Sequence, residues 1–418
     1  MKLKISTSEF TQICLTLFST FFLITTNMCK SSVQKTIVFF TLCLMYFLLK
    51  NIKLFKYELA SKTALAFFLF EIYILIFSTI SYNIFTAFNT VLSQFVYLGG
   101  AVLFFALVNR LKPPNFLVVV CSVVIIWVFA DLKVLLLCRS YPNIARYIVA
   151  GMVDSEVICS VAAPYALAQS SCFIVIALVN LLTKRKNKLG IFPNVIIISC
   201  VVVMAITVYE IQSTITTLIM ISGCVVAVFL NIFSGRDGLT QKKKICLSIA
   251  IVVLGCIFML FKKSIGICLI NRFENGNSVF AGRLSEIGHV LSSANLSSDL
   301  SARLELAQKS LQAFVRNPIL GNLYTNGTSS GGHCAILDLF SDYGLVGGLP
   351  FILFFVFYFR RLKKILHNFD IFIWIPFFVM SWLNPVVLYQ PYFSILFVVP
   401  ALYYVFEKYN KRELCRSV

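Results

Sequence analysis

What most limits the folds open to this chain is a succession of apolar runs, each long enough to cross a lipid bilayer as a helix. A hydrocarbon layer ~30 Å thick needs roughly 17–25 helical residues. By that measure about 12 segments of this chain qualify: 10–28, 36–49, 63–80, 86–108, 115–137, 158–182, 190–209, 211–232, 244–262, 334–359, 370–384 and 387–406, the second and eleventh being short. The residues between them cannot rescue a soluble reading. Hydrophobic residues make up 59% of the chain and charged ones 13%, where a soluble domain carries about a quarter charged. The expectation is an all-α, polytopic transmembrane helical bundle. The first run follows "MKLK" as a secretory signal does, but no small-x-small cleavage pattern follows it, so it reads as a retained first helix.

The net charge of +19 raises the question of a nucleic-acid partner, and the placement of the charge answers it. Alternating sides at each run puts Lys2 and Lys4, Lys50 to Lys62, Arg110 and Lys112, "KRKNK" at 184–188, Arg236 and "KKK" at 242–244, "RRLKK" at 360–364 and the basic C-terminal residues on one face. That face holds about two thirds of all Lys and Arg, which marks it as cytoplasmic. Both termini then lie inside and segment 263–333 lies outside. The basic residues serve membrane orientation, and no nucleic acid is expected.

Fourteen cysteines are scattered mostly through apolar runs, with no CxxC pair and no Cys/His cluster. They read as small apolar residues, with neither a metal site nor a disulfide framework.

Three regions follow: residues 1–262 with spans one to nine, an extracytoplasmic connection 263–333, and residues 334–418 with the last three spans and a cytoplasmic tail. The connection is by far the longest, and long connections in compact proteins tend to be functional. It carries two amphipathic patterns. "AGRLSEIGHVLSS" (281–293) sets Leu284, Ile287 and Leu291 on one face, and "SSDLSARLELAQKSLQAFVRNP" (297–318) does so with Leu300, Leu304, Ala307, Leu311 and Phe314. Ser298 or Asp299 can cap the second, and Pro318 closes it. Both helices are expected at the outer membrane surface, buried on one side by spans or headgroups. A turn-rich stretch, "GNLYTNGTSSGG", then delivers the chain to His333.

Several residues stand out against this background. The chain has three histidines, His289, His333 and His367, and only His333 sits where a glycine-rich segment enters a span. It can be an interfacial ring tolerant of both water and lipid, or a proton-transfer group whose solution pKa near 6.5 suits the task. Arg272, Arg283, Arg303 and Arg316 fall in the outer connection, the side on which arginine is disfavoured; they can meet lipid phosphates, or an anionic ligand through bidentate hydrogen bonds. Asp338 and Asp342 share a helix face, about 140° away from His333, and either cap and orient neighbours or bind sugar hydroxyls. "GLVGGLP" (344–350) should loosen the helix they occupy, through Pro350 and its glycines. Glu71, Glu210 and Asp131 are the acidic residues a transporter reading would use, but they are isolated in sequence.

The pattern "SARLELAQKSLQAFVRNPILGN", then a polar stretch, then "GGHCAILDLFSDYGLVGGLPFI", resembles the O-antigen polymerase and ligase family of bacterial envelope polysaccharide assembly. In that family an arginine opens a helix ending in asparagine-proline-leucine/isoleucine-x-glycine, and a histidine precedes a helix ending in an acidic residue and glycine-hydrophobic-hydrophobic-glycine. The likeness covers about residues 299–348. It implies functional roles for Arg303 and His333. Cys334 stands where asparagine or serine is common, and "EIQSTITT" (210–217) lacks the arginine that a threonine-x-serine-arginine feature would carry there.

The resemblance further implies a glycosyltransferase of the bacterial cytoplasmic membrane that needs no metal or other cofactor and joins polyprenyl-pyrophosphate-linked oligosaccharide repeat units. Arg303, aided by Arg272, Arg283 and Arg316, would neutralise the pyrophosphate; His333 would accept a proton or bind phosphate; Asp338 would contact substrate. Membrane lipids, a flippase and a chain-length regulator are the expected partners. A ligase that transfers finished glycan, or a lipid-linked oligosaccharide transporter, are the rival readings.

Overall fold

The computed structural model describes residues 61–82, 84–141, 144–149, 164–184, 190–233, 260–274, 276, 279–293, 298–323, 331–332, 334–366, 374–383 and 389–416, with 10, 13 and 14 besides. Among the described residues every regular element is a helix. In chain order these are α1 (Lys62–Ser81), α2 (Ile84–Arg110), α3 (Pro113–Ser140), α4 (Ile144–Val149), α5 (Pro164–Thr183), α6 (Ile191–Glu210), α7 (Thr214–Phe233), α8 (Val279–Ser293), α9 (Ser298–Arg316), α10 (Ala335–Ile365), α11 (Trp374–Leu383), α12 (Tyr389–Phe393) and α13 (Val399–Arg416). Residues 260–273 are also helical.

Six helices, α1, α3, α5, α6, α7 and α10, are long and apolar enough to cross a membrane; shorter apolar helices cover Leu98–Asn109 of α2 and all of α11. The outward faces are those of a lipid-solvated protein: Ile191, Phe192, Phe129, Leu136 and Val225 are all more than half exposed, an arrangement water would penalise by roughly 25 cal/mol per Å² of apolar surface. The expected span 36–49, and nearly all of 10–28 and 244–262, lie outside the described residues.

α5 is the hub. Of its apolar window 83% is buried, against 17% for α6, because α3, α6, α7, α12 and α13 all pack on it. Burial on every side explains how it tolerates polar residues. Ser171 donates to both oxygens of the Asp131 carboxylate on α3, at 3.1 and 2.9 Å. The Asn231 amide on α7 donates to the Asn180 carbonyl (2.9 Å), the Asn180 side-chain oxygen (2.8 Å) and Thr183 Oγ1 (2.8 Å). The Asn180 amide in turn donates to the Tyr403 hydroxyl of α13. Between α12 and α13 the helix widens into a π turn, Ser394–Val398, wholly buried against α2 and α5. The Leu396 carbonyl within it accepts the Tyr358 hydroxyl of α10 at 2.7 Å.

A second layer is the α1/α10 pair, antiparallel and zipped by aromatic rings. Phe67 meets Phe354 at 6.1 Å, Phe70 meets Phe351 at 5.2 Å and Phe70 meets Tyr343 edge-on at 5.4 Å. α9 lies against α10. The 260–273 helix runs beside α8 so closely that a Cβ on Gly266 would stand 2.6 Å from the Gly288 carbonyl oxygen.

The helix that covers the end of the apolar run 244–262 continues to 273, so Lys262 and Lys263 end the run without interrupting the helix. On α9, Leu304 and Leu311 are nearly half exposed, while Ser310 and Ala313 are buried. α10 is interrupted at Gly344, the first glycine of the 344–350 stretch expected to loosen it, and runs on through Pro350.

Candidate functional site

The interruption of α10 has a visible cause. Gly344 has φ 59° and ψ −163°, a conformation open essentially to glycine alone. The segment 318–323, just after α9, enters the gap. Asn322 and Leu323 N–H groups donate to the Ser341 and Asp342 carbonyls, both at 2.9 Å, and the Leu345 and Val346 N–H groups donate to the Pro318 and Ile319 carbonyls at 2.8 and 3.0 Å. Bonds that α10 would have made within itself are thus exchanged with the 318–323 segment. The fit excludes side chains: a Cβ on Gly321 (φ 67°) would lie 2.4 Å from the Asp342 oxygen, and one on Gly344 would lie 2.4 Å from Gly321 N. Asn322 completes the joint, its amide donating to the Ala313 and Ser341 carbonyls, both at 3.0 Å, and its oxygen accepting from Asn317 at 2.6 Å. From α1, Tyr73 and Ser81 donate to the Leu320 and Leu323 carbonyls. The "RNPILGN" and "DYGLVGG" segments, distant in sequence, are one interlocked unit.

A second joint lies at the start of α10. Cys334 is the N-cap residue but offers no side-chain cap. Asp338, one turn on, does that work: Oδ1 accepts Ser310 Oγ–H of α9 at 2.6 Å and Gly332 N–H at 3.2 Å, and Oδ2 accepts Cys334 N–H at 3.1 Å. A carboxylate is electrostatically at home at a helix N-terminus. Ser310, fully buried, also accepts the Gly331 N–H at 2.8 Å, and Gly331 presses so closely on α9 that a Cβ there would meet the Leu306 oxygen at 2.0 Å. The Cys334 thiol reaches the Ser381 carbonyl of α11 at 3.9 Å.

Of the expected site residues, His333 lies outside the described residues, though both its chain neighbours are held by Asp338. Arg303 belongs by its backbone to α9, seven positions before Ser310 and so on the same helix face, about 10 Å along the axis. Arg283 belongs by its backbone to α8. Arg272 is exposed on the 260–273 helix, where it lines an open cavity of about 550 Å³ with Ser264, Cys268 and Asn271. Arg316 is exposed at the end of α9, thirteen positions from Arg303 and therefore on a different face. Of the two roles open to Asp338, the geometry is that of capping and orienting. No family model matches the chain, and no curated protein matches it.

Next to the second joint, the Asp338–Ser310 clasp, α10 and α11 line an apolar cavity of about 600 Å³. It begins at Ala335, Ile336 and Leu339 in the first turns of α10 and continues down to Phe355, Phe359 and Trp374. Its wall residues Ile352 and Ile375 are 39% and 57% exposed, so it opens sideways.

Sequence reasoning passed over Ser310, Asn317 and Asn322, and it marked the turn after α6 by Glu210 but not by Gln212 or Arg139. There Gln212 adopts φ 58°, and Arg139 of α3 approaches Glu210 at 3.8 Å. Glu71, singled out for its mid-span place, is buried with neither carboxylate oxygen hydrogen-bonded. Among the described residues no three His, Cys, Asp or Glu side chains gather as a metal would require.

Proposed function

We propose that this protein is a membrane glycosyltransferase that polymerises polyprenyl-pyrophosphate-linked oligosaccharide repeat units on the outer face of the bacterial cytoplasmic membrane. The observation that carries the reading is the pairing of the two segments on which the family resemblance rests. "RNPILGN" and "DYGLVGG" interlock through Gly321 and Gly344, and α9 is tied through Ser310 and Asp338 to both neighbours of residue 333. α9, whose backbone carries position 303, is thus joined by hydrogen bonds to the two residues that flank position 333.

The chemistry follows from these residue types. A sugar hydroxyl of one repeat unit attacks the anomeric carbon of the growing chain. The new carbon–oxygen bond forms as the anomeric carbon–phosphate oxygen bond breaks, and lipid pyrophosphate leaves with the electron pair. Arg303 stabilises the charge gathering on that leaving group, and His333 takes the hydroxyl proton. Direct displacement inverts the anomeric centre. The apolar cavity below the clasp suits the hydrocarbon tail of such a substrate, entering sideways from the lipid.

A deletion strain tests the reading. Surface glycan reduced to single repeat units supports a polymerase; long chains left unattached to their acceptor identify a ligase; and loss of all lipid-linked units from the outer face identifies a transporter.

A further inference from the structure

We propose that α9 is half sunk in lipid, and that the arc of Leu304, Leu311 and Val315 is a binding surface for the acyl chains of the leaflet on that side of the membrane. The sequence leaves two covers open for this helix, spans or headgroups; the structure divides them between two faces. The inference stands independently of the polymerase reading.

A helix turns about 100° per residue, so side chains can be placed around α9 by their angle from Ser310. They fall into three sectors. Within about 60° of Ser310 lie Ser310 and Ala313, both buried, and Phe314, whose ring meets Phe340 of α10 edge-on at 5.8 Å. This is the face on the bundle. At about 100–140° stand Leu311, Leu304 and Val315, the first two nearly half exposed and the third 67% exposed. At about 160–260° come Gln308, Gln312, Glu305, Arg316 and Lys309, all exposed. A helix standing in water beside the bundle needs only the first and third sectors. A helix at a bilayer surface needs all three, with protein on one flank, lipid on the next and water on the last.

The apolar arc does not end with the helix. Ile319, one turn past Val315 and 63% exposed, accepts the Val346 N–H at 3.0 Å through its carbonyl. There the exposed apolar side of α10 begins, with Leu345, Val346 and Leu349 all at least 40% exposed. The arc thus runs into the outward face of a helix long and apolar enough to cross the membrane. That continuity selects the occupant. An apolar patch made for a protein partner is rimmed by polar residues, whereas this one has a polar border along one edge and opens at its end onto the apolar side of α10.

The test uses full-length protein in proteoliposomes whose phospholipid carries radiolabelled acyl chains. The photoreactive residue p-benzoylphenylalanine is placed singly at Leu311, Val315, Lys309 or Gln312. After irradiation, positions 311 and 315 should take up lipid label about fivefold or more above 309 and 312, as a lipid face beside a water face requires. Equal labelling at all four positions, or none at 311 and 315, overturns the proposal. A crosslinked dimer from 311 and 315 in place of lipid label also overturns it and makes the arc an interface between two copies of this chain. Should the Leu311 variant fail to fold, seen as loss of its monodisperse elution in detergent, the more exposed Val315 carries the comparison with the same expected outcomes.

Discussion

Replacing Gly344 by alanine puts the interlock between α9 and α10 to a quantitative test. A methyl group at 344 would stand 2.4 Å from both Gly321 N and the Ile319 oxygen, well inside contact distance, and its neighbours are backbone atoms that cannot swing aside. The conformation itself, φ 59° with ψ −163°, costs a residue with a Cβ about 1–3 kcal/mol. The strain can be relieved if α10 closes into regular helix through 344. Leu345 and Val346 N–H groups then return to the Ser341 and Asp342 carbonyls within the helix, and segment 318–323 is expelled. Two helical bonds replace the four inter-segment ones, and Tyr73, Ser81 and Asn322 lose their partners, each loss being worth about 1 kcal/mol net. The combined penalty is on the order of 3–5 kcal/mol, enough to raise the open fraction of this joint at least a hundredfold. Hydrogen–deuterium exchange reads it directly, since the Asn322 and Leu323 amides become exposed. Gly282→Ala, on a helical position where a Cβ meets nothing within 4 Å, is the control and should be neutral or stabilising by up to about 1 kcal/mol. Equal protection of residues 322 and 323 in Gly344→Ala and wild type would refute the reasoning.

Other consequences can be checked in turn. A reporter fused near Asn326 should behave as extracytoplasmic and one near Lys186 as cytoplasmic; finding both on one side contradicts the orientation drawn from the basic residues. His333→Ala should abolish polymer at near-normal protein level, while His289→Ala and His367→Ala should change little, and normal polymer from His333→Ala returns that residue to an interfacial role. Arg303→Lys keeps the charge but loses the bidentate fork and should cost on the order of 100-fold in rate, with Arg316→Lys milder; activity of Arg303→Lys within about threefold, roughly 0.6 kcal/mol, argues against a bidentate pyrophosphate contact. Ser171→Ala strips the Asp131 carboxyl of its side-chain partner inside the bundle and should lower thermal stability in detergent by about 1–3 kcal/mol; an unchanged melting curve contradicts the assigned bond.

The long helices were the most readable part of the sequence. α1, α3, α6 and α7 lie within about three residues of the apolar runs that announce them, since hydropathy over some twenty positions averages out local detail. Hydropathy reports solvent and not hydrogen bonding, so the apolar run stops at Lys262 while the helix goes on to 273. On α9, Leu304 and Leu311 outweigh Ser310 on any apolar scale, yet Ser310 is the buried one, bonded to Asp338 and the Gly331 amide. The glycines of 344–350 announced a loosened α10, but which of them breaks it was beyond local reasoning. "GLVGGLP" offers three glycines and a proline, and the choice of Gly344 is made by a segment more than twenty residues upstream. Of the candidate site, the helix bearing Arg303 and the glycine hinge before His333 were legible; the clasp joining them was not.

The composition of α5 has a consequence for how the protein is made. Ser171 finds its acceptor on α3, already synthesised, but Asn180 needs Asn231, 51 residues later, and Tyr403, 223 residues later. At ~5–20 residues per second of translation, Asn180 waits roughly ten to forty seconds in the bilayer before the tyrosine can arrive. Throughout that interval the helix destined for the centre of the bundle carries an amide whose partners do not yet exist, so biogenesis must shelter it, by the translocation machinery or by early pairing with α7, until α13 closes over it.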